Sequence, residues 1–197
     1  MKIGLYGGTF SPPHLAHVRA ARLFYEEVSL DKLYVMPAGI PPHKQSDKWG
    51  SAVHRLQMTK LAFSTFATVS DYEIKKEGKS YTVETLRYLR EKHPSDELYM
   101  LVGEDMLYSL DTWRSPEEVM TSCTLVAIRR QDTKMSRLVE CAENYKNRYG
   151  AKIVFIEETP FDISSTAVRS MIERNDDVSR FLSEEVYEYI KKNKLYI

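Results

Sequence analysis

At 197 residues, 43% hydrophobic and 11% aromatic, the chain has the apolar content for one large core, and a single domain spanning residues 1–197 is the expectation. Its 28 basic and 28 acidic residues cancel, which excludes a global field drawing it onto nucleic acid or an anionic membrane, so any anion it binds must be held locally. The opening MKIGLYGG has neither a signal peptide's apolar stretch nor the run of about 18 apolar residues that spans a bilayer, and Cys123 and Cys141 form no staple framework, zinc spacing or redox pair; a cytoplasmic location is the default.

In chain order, short β-branched and aromatic runs predict strands over Lys2 to Tyr6, Lys32 to Met36, Ala67 to Ser70, Leu98 to Val102, Thr124 to Ile128 and Ile153 to Ile156. Val18, Ala21, Tyr25 and Val28 recur at helical spacing after the first, and the segments around Leu56 and Leu86 behave alike. That alternation predicts an α/β fold, a parallel sheet wrapped by helices. The stretch GIPPHKQSDKWGS, Gly39 to Ser51, reads as a long loop that Pro41 and Pro42 hold extended, suited to leaning over a site. Ser115, Pro116 and Glu118 have the form of a capping box with proline at the first helical position. From Ser183 a last helix is expected, with Glu184 and Glu185 in its first turn and Lys191, Lys192 and Lys194 at its end, as a packing element.

The stretch GGTFSPPHLAHV, Gly7 to Val18, crowds two glycines and two histidines into one strand-to-helix turn. Gly7 and Gly8 let backbone approach a ligand closely, and the following helix aims unpaired N–H groups and its positive dipole end at the same spot, which favours a phosphate. His14 and His17, three apart, share one helix face and add donors there. Zinc with His43 or His54 as a third ligand is the weaker reading: no acidic or cysteine partner has ligand spacing, and zinc leaves the glycines unexplained. A GxGxxG fingerprint is absent. Near the other end, FDISSTAVRS from Phe161 to Ser170 places Ser164, Ser165 and Thr166 at a helix start as cap and hydroxyl donors, with Arg169 one turn on to meet phosphate oxygens.

These two segments resemble the adenylyltransferases that carry a (T/H)xGH turn and a distal Ser-Ser-Thr-x-x-Arg segment. With PPHK at Pro41 to Lys44, HRLQM at His54 to Met58, SYTVETL at Ser80 to Leu86 and GEDMLYSLDTW at Gly103 to Trp113, the chain resembles the bacterial nicotinate mononucleotide adenylyltransferases along most of its length. The resemblance implies a Rossmann-like parallel sheet with helices on both faces, a small C-terminal helical portion from about residue 160, and transfer of the adenylyl group of ATP to nicotinate mononucleotide, giving deamido-NAD and pyrophosphate in NAD biosynthesis. It also implies Mg²⁺ carried on the ATP phosphates and no metal site of the chain's own.

By the same resemblance His14, His17 and Arg169 are the catalytic residues, and Gly7, Gly8, Thr9, Phe10, Asp105, Ser164, Ser165 and Thr166 hold ATP, Asp105 at the ribose. Lys44, Thr82, Thr85, Trp113 and Arg130 serve the nicotinate nucleotide, Thr82 chiefly through its amide and Trp113 by stacking. Four places depart from the family pattern: Ser11 stands where Asp or Asn is usual, Ala16 replaces the glycine of the HxGH turn, Ala38 and Gly39 replace an asparagine-bearing loop, and Arg114 follows Trp113 where an aromatic residue is common. KMSR, Lys134 to Arg137, looks like the KMSKS loop of class I aminoacyl-tRNA synthetases but sits in a polar helical stretch, without a basic face for tRNA. The acceptor could instead be nicotinamide mononucleotide or phosphopantetheine, and a nucleotide-sensing module without turnover is the reading from another class. ATP and nicotinate mononucleotide are the expected partners, nucleic acid and membrane are not, and oligomeric state is open, with a homodimer among the options.

Overall fold

Six parallel strands alternate with helices, and the burial of each strand tells its place in the sheet. In the computed structural model, which describes residues 1–40, 50–76, 78–129, 135–157 and 163–197, the strands are β1 (Lys2–Gly8), β2 (Lys32–Pro37), β3 (Thr68–Val69), β4 (Glu97–Gly103), β5 (Thr124–Arg129) and β6 (Lys152–Glu157). Their order is β3-β2-β1-β4-β5-β6. In β5, Leu125, Val126 and Ala127 are all buried, the continuous apolar run of a strand covered on both faces, whereas β6, at the sheet's edge, is exposed at Lys152, Val154 and Glu157. The winding reverses at β1, and in open sheets of this kind ligands bind beyond the carboxyl ends of the strands at such a reversal.

The helices are α1 (Leu15–Glu27), α2 (Ala52–Phe63), α3 (Tyr72–Lys75), α4 (Thr82–Lys92), α5 (Glu104–Leu107), α6 (Pro116–Ser122), α7 (Met135–Tyr149), α8 (Ser165–Glu173) and α9 (Glu184–Lys192). All six expected strands occur. The third shrinks to two residues because only Thr68 and Val69 pair with β2, opposite Tyr34 and Val35. The first runs two residues further than expected, so Gly7 and Gly8 end the strand instead of forming the turn.

The chain divides into two compact units that interleave in sequence. One comprises Met1–Tyr6, Ala20–Leu33 and Tyr81–Pro160. Within it β1 pairs with β4 from Lys2 opposite Glu97 to Leu5 opposite Met100, β5 pairs with β4 and with β6, and Leu86, Leu89, Leu98 and Leu125 are among its buried residues. Its α6 starts where proline predicts, yet the capping box does not form. Ser115 lies in the left-handed region at φ 51°, its hydroxyl caps nothing, and Glu118 takes Arg87 Nε and Nη2 at 2.6 and 2.5 Å instead of reaching back. The bidentate pair with a guanidinium outcompetes one backbone N–H. Met135, Ser136 and Arg137 of the KMSR stretch open α7, while Lys134 lies outside the described residues.

The other unit comprises Gly7–Arg19, Tyr34–Ser80 and Phe161–Ile197. Its core joins α2, α8 and α9 through Met58, Val168, Val178, Leu182, Val186 and Ile190. The expected last helix is α9; Ser183 caps it, accepting the Val186 N–H at 3.4 Å, and Lys191 and Lys192 occupy the last turn. The helix ends before Lys194, which takes a left-handed φ of 49°.

Candidate active site

The turn after β1 is held from below and from the side by its own unit. Phe10 is buried with φ 50°, and its ring sits against Gly8 so closely that a β-carbon there would lie 2.8 Å from Phe10 Cζ. A β-carbon at Gly8 would crowd the Phe10 ring, so internal packing gives a second reason for glycine there beside its expected part in ligand approach. Gly7 has open space where a β-carbon would stand, which leaves its backbone accessible. Phe10 also packs edge-on to His17 and Phe63, with ring centroids 5.3 and 5.5 Å away.

His14 lies just before α1, not inside its first turn as the spacing suggested. Its carbonyl accepts the N–H groups of His17 and Val18 at 2.9 and 3.3 Å, and its own N–H donates to His17 Nδ1 at 3.2 Å. The pair thus works as an N-terminal cap, the side chain three residues into the helix reaching back to the capping residue's N–H. This bond also fixes the tautomer of His17: Nδ1 accepts, so Nε2 carries the hydrogen. The two rings stack, 3.6 Å between centroids and 26° between planes.

His14 is 5% exposed, and burial pushes its pKa down to about 4, so its imidazole is neutral at pH 7. Its Nδ1 is buried without a hydrogen-bond partner among the described residues. Both histidines are thus neutral single-proton donors. Because the folded pKa of His14 lies below the ~6.5 of an unfolded histidine, its stabilising contribution is complete above pH ~6.5 and is lost as the pH falls towards 4. At about 1.4 kcal/mol per pKa unit the loss is on the order of 3 kcal/mol. Urea unfolding at pH 7.5 and 4.5 should show it in the wild type and not in His14→Asn; parallel losses in both would refute the assignment.

The start of α8 reaches the same turn. Ser164 caps the helix, its Oγ accepting the Ala167 N–H at 3.1 Å. Ser165 Oγ donates to the Pro12 carbonyl at 2.9 Å, Arg169 Nη1 donates to the Ser11 carbonyl at 2.8 Å, and Arg169 Nη2 lies 3.2 Å from Thr166 Oγ1. The amino-terminal ends of α1 and α8, about 150 residues apart in sequence, are joined through the Ser11–Pro12 segment. Two of the five N–H donors of Arg169 serve these bonds, leaving a positive group with donors to spend on an anion.

Asp105, Thr82, Thr85 and Trp113 belong to the other unit. Asp105 is exposed in α5, at the carboxyl end of β4. Thr82 is half-buried in the first turn of α4, while Thr85 is 1% exposed and faces the interior. Trp113, half-buried, ends the short 3-10 helix Leu110–Thr112. Its neighbour Arg114 ties that segment to α4, 4.5 Å over the Tyr81 ring and 3.4 Å from Glu84 Oε1. Lys44 and Arg130 lie outside the described residues, as do His43 and most of the expected loop. No metal-binding group of three or more His, Cys, Asp or Glu occurs among the described residues.

The cytidylyltransferase-like family matches the chain over residues 5–171. The chain belongs to this family. Among curated relatives it is 36% identical over 198 residues to a "Probable nicotinate-nucleotide adenylyltransferase" of Clostridium acetobutylicum, covering 100% of this chain and 99% of that one. To the protein of the same name from Clostridium perfringens strain SM101 it is 36% identical over 197 residues, covering 99% and 98%. Its fold matches the Plasmodium falciparum nicotinic acid mononucleotide adenylyltransferase complexed with NaAD, at TM-score 0.82 and 19% identity over 99% of this chain and 97% of that one. The same Plasmodium enzyme complexed with APC matches at TM-score 0.77 and 18% identity, covering 99% and 96%.

Two side chains that no motif flagged brace this cytidylyltransferase-like turn. Arg55, 3% exposed, donates Nη1 to the carbonyls of Thr9 at 3.0 Å and Ala38 at 2.5 Å, and Nη2 to that of Gly39 at 2.7 Å. It lies in the HRLQM match, but a lone arginine on a helix has no sequence signal for three carbonyls from two strand ends. Gly39 permits the arrangement, since a β-carbon there would collide with the Glu73 carbonyl, and its N–H donates to Ser80 Oγ at 3.0 Å. Tyr196 reaches the turn from beyond α9, its hydroxyl 3.1 Å from Ser11 Oγ. His54, considered above as a zinc ligand, instead bonds the Tyr189 hydroxyl through Nδ1 at 2.9 Å.

Proposed function

We propose that this chain is a nicotinate-nucleotide adenylyltransferase, joining ATP and nicotinate mononucleotide to give deamido-NAD and pyrophosphate. The observation that carries the reading is the junction at the Ser11–Pro12 segment. There two helix amino termini, two neutral imidazoles, hydroxyls and a guanidinium share one turn, a donor set that fits a polyphosphate. The names of full-length relatives at 36% identity support the pyridine nucleotide as acceptor.

In the reaction an oxygen of the acceptor's 5′-phosphate attacks the α-phosphorus of ATP in line, a new P–O bond forms, and the α–β bond breaks with its electrons leaving on pyrophosphate. The second pKa of a phosphate monoester is ~6, so at neutral pH the nucleophile is already mostly a dianion and needs no general base. What remains is repulsion between polyanions and charge gathering on the transferred and departing oxygens. His17 Nε2–H and His14 offer neutral hydrogen bonds, Arg169 offers charge, Gly7, Gly8, Thr9 and the α1 terminus offer backbone N–H groups, and Ser164, Ser165 and Thr166 close from α8.

Mg²⁺ would neutralise part of the triphosphate charge and hold its oxygens in place. The donors at the turn suit an anion and not a bare cation, so the ion is assigned to the phosphates. Phe10 braces the turn by packing. Asp105 is assigned to the ribose, and Thr82 and Trp113 to the nicotinate ring. A cytoplasmic location is part of the reading, and a homodimer is one assembly it accommodates.

The test is incubation with ATP, Mg²⁺ and, separately, nicotinate mononucleotide, nicotinamide mononucleotide and phosphopantetheine, following pyrophosphate release. Fast turnover is expected with nicotinate mononucleotide. Preference for either other acceptor would reassign the substrate, and ATP binding without turnover on any of them would make the chain a nucleotide sensor.

A further inference from the structure

The geometry points to Tyr196 as a positioning residue for adenylyl transfer, acting through Ser11 on Arg169. This inference rests on the function proposed above. Ser11 is 1% exposed and carries two links at once: its Oγ meets the Tyr196 hydroxyl at 3.1 Å, and its carbonyl accepts Arg169 Nη1 at 2.8 Å. The next residue, Pro12, accepts Ser165 Oγ at 2.9 Å. Whatever fixes the Ser11 peptide therefore sets where the guanidinium and the start of α8 stand.

Tyr196 is built to do this. Its ring packs on the core shared by α2, α8 and α9, beside Leu195, and its backbone takes φ 65°, a left-handed conformation that a side chain holds only under constraint. The Gly50 backbone and the guanidinium groups of Arg55 and Arg169 act electrostatically on the same phenol oxygen. The hydroxyl thus sits beside the signature turn, the segment leading into α2 and the arginine of the Ser-Ser-Thr helix. At Ser11 a neutral hydroxyl is bonded to a neutral hydroxyl. The Ser11 side chain consequently adds no negative charge to a turn proposed to grip polyphosphate.

Removing the phenol oxygen leaves Ser11 Oγ buried without this partner and frees the peptide that Arg169 leans on. Tyr196→Phe is expected to lower kcat about tenfold and raise the ATP dissociation constant several-fold, with KM for the pyridine nucleotide unmoved. Ser11→Ala should give the same pattern, and the double variant should be no worse than either single one, because both remove the same bond. Calorimetric ATP binding and pyrophosphate release are measured side by side on all four proteins, with melting temperatures as the check on folding.

Unchanged kcat and ATP affinity in Tyr196→Phe would overturn the inference, as would additive losses in the double variant or an equal rise in both substrates' KM values. If Tyr196→Phe melts early, Ser11→Ala carries the same test alone. A wild-type protein without turnover on any acceptor would sink the functional reading, and the positioning of Arg169 would then be judged by the ATP dissociation constants: a several-fold rise in the variants supports it, no change refutes it.

Discussion

Replacing His17 with alanine should cut adenylyl transfer by about 10² to 10³, the usual loss when one preorganised donor is removed from a site of developing negative charge. The expectation rests on the tautomer. Because Nδ1 is occupied by the His14 N–H, the hydrogen of the ring is on Nε2, and the cap bond keeps the imidazole from rotating away. The substitution also removes half of the cap, which costs about 1 kcal/mol of stability. His17→Asn separates the two effects, since its amide oxygen can take over the cap bond without placing an imidazole N–H at the same point. Urea unfolding should then show Asn near wild type and Ala slightly weaker, while pyrophosphate release stays low in both. Normal turnover in His17→Ala would remove the imidazole from the mechanism.

The role of that ring shows what a sequence can and cannot carry. The six strands are legible because parallel strands buried on both faces must be short apolar runs, and each run is bounded by helical spacing. The two ends of the site, GGTFSPPHLAHV and ISSTAVRS, are legible because helix starts have local rules for capping residues. Where the local rule has a rival, the tertiary partner wins. Glu118 fits a capping box in sequence, but Arg87, 31 residues away, offers two bonds from a charged donor in place of one from a neutral backbone N–H. His14 and His17 fit a same-face helical pair, but their backbone and ring bond each other around the helix start.

Contacts between distant segments were out of reach for a different reason. Tyr196 meets Ser11 across 185 residues and Arg169 meets it across 158, and neither separation has a period or spacing. The charges at its two ends make the tail helix legible, yet a helix read from its charges says nothing about the tyrosine that follows it. The left-handed turn at Lys194 is what redirects the chain, and lysine is no signal for such a turn.

Arg55 gives the second large effect, on fold and chemistry together. Its guanidinium is a buried cation whose three hydrogen bonds all go to backbone carbonyls, two at the end of β2 and one in the turn after β1. Burial lowers its pKa, and Tyr196 and Glu73 counter that shift. Bonds from a charged donor are worth about 1.5 to 3 kcal/mol each, against several kcal/mol to desolvate the ion. The balance makes Arg55→Met destabilising by about 3 kcal/mol, since three carbonyls lose their donor at one stroke. Arg55→Lys should recover part of the stability and little of the activity. An ammonium is a point charge and cannot reproduce the planar fork that holds Thr9, Ala38 and Gly39 in fixed relation. Urea midpoints and pyrophosphate release at pH 7.5 measure both. Turnover at least about 10²-fold down in Arg55→Lys, at a temperature where it is fully folded, is the expected result. Wild-type turnover in that variant would mean that the turn keeps its shape without the fork, and that Arg55 only fills the core.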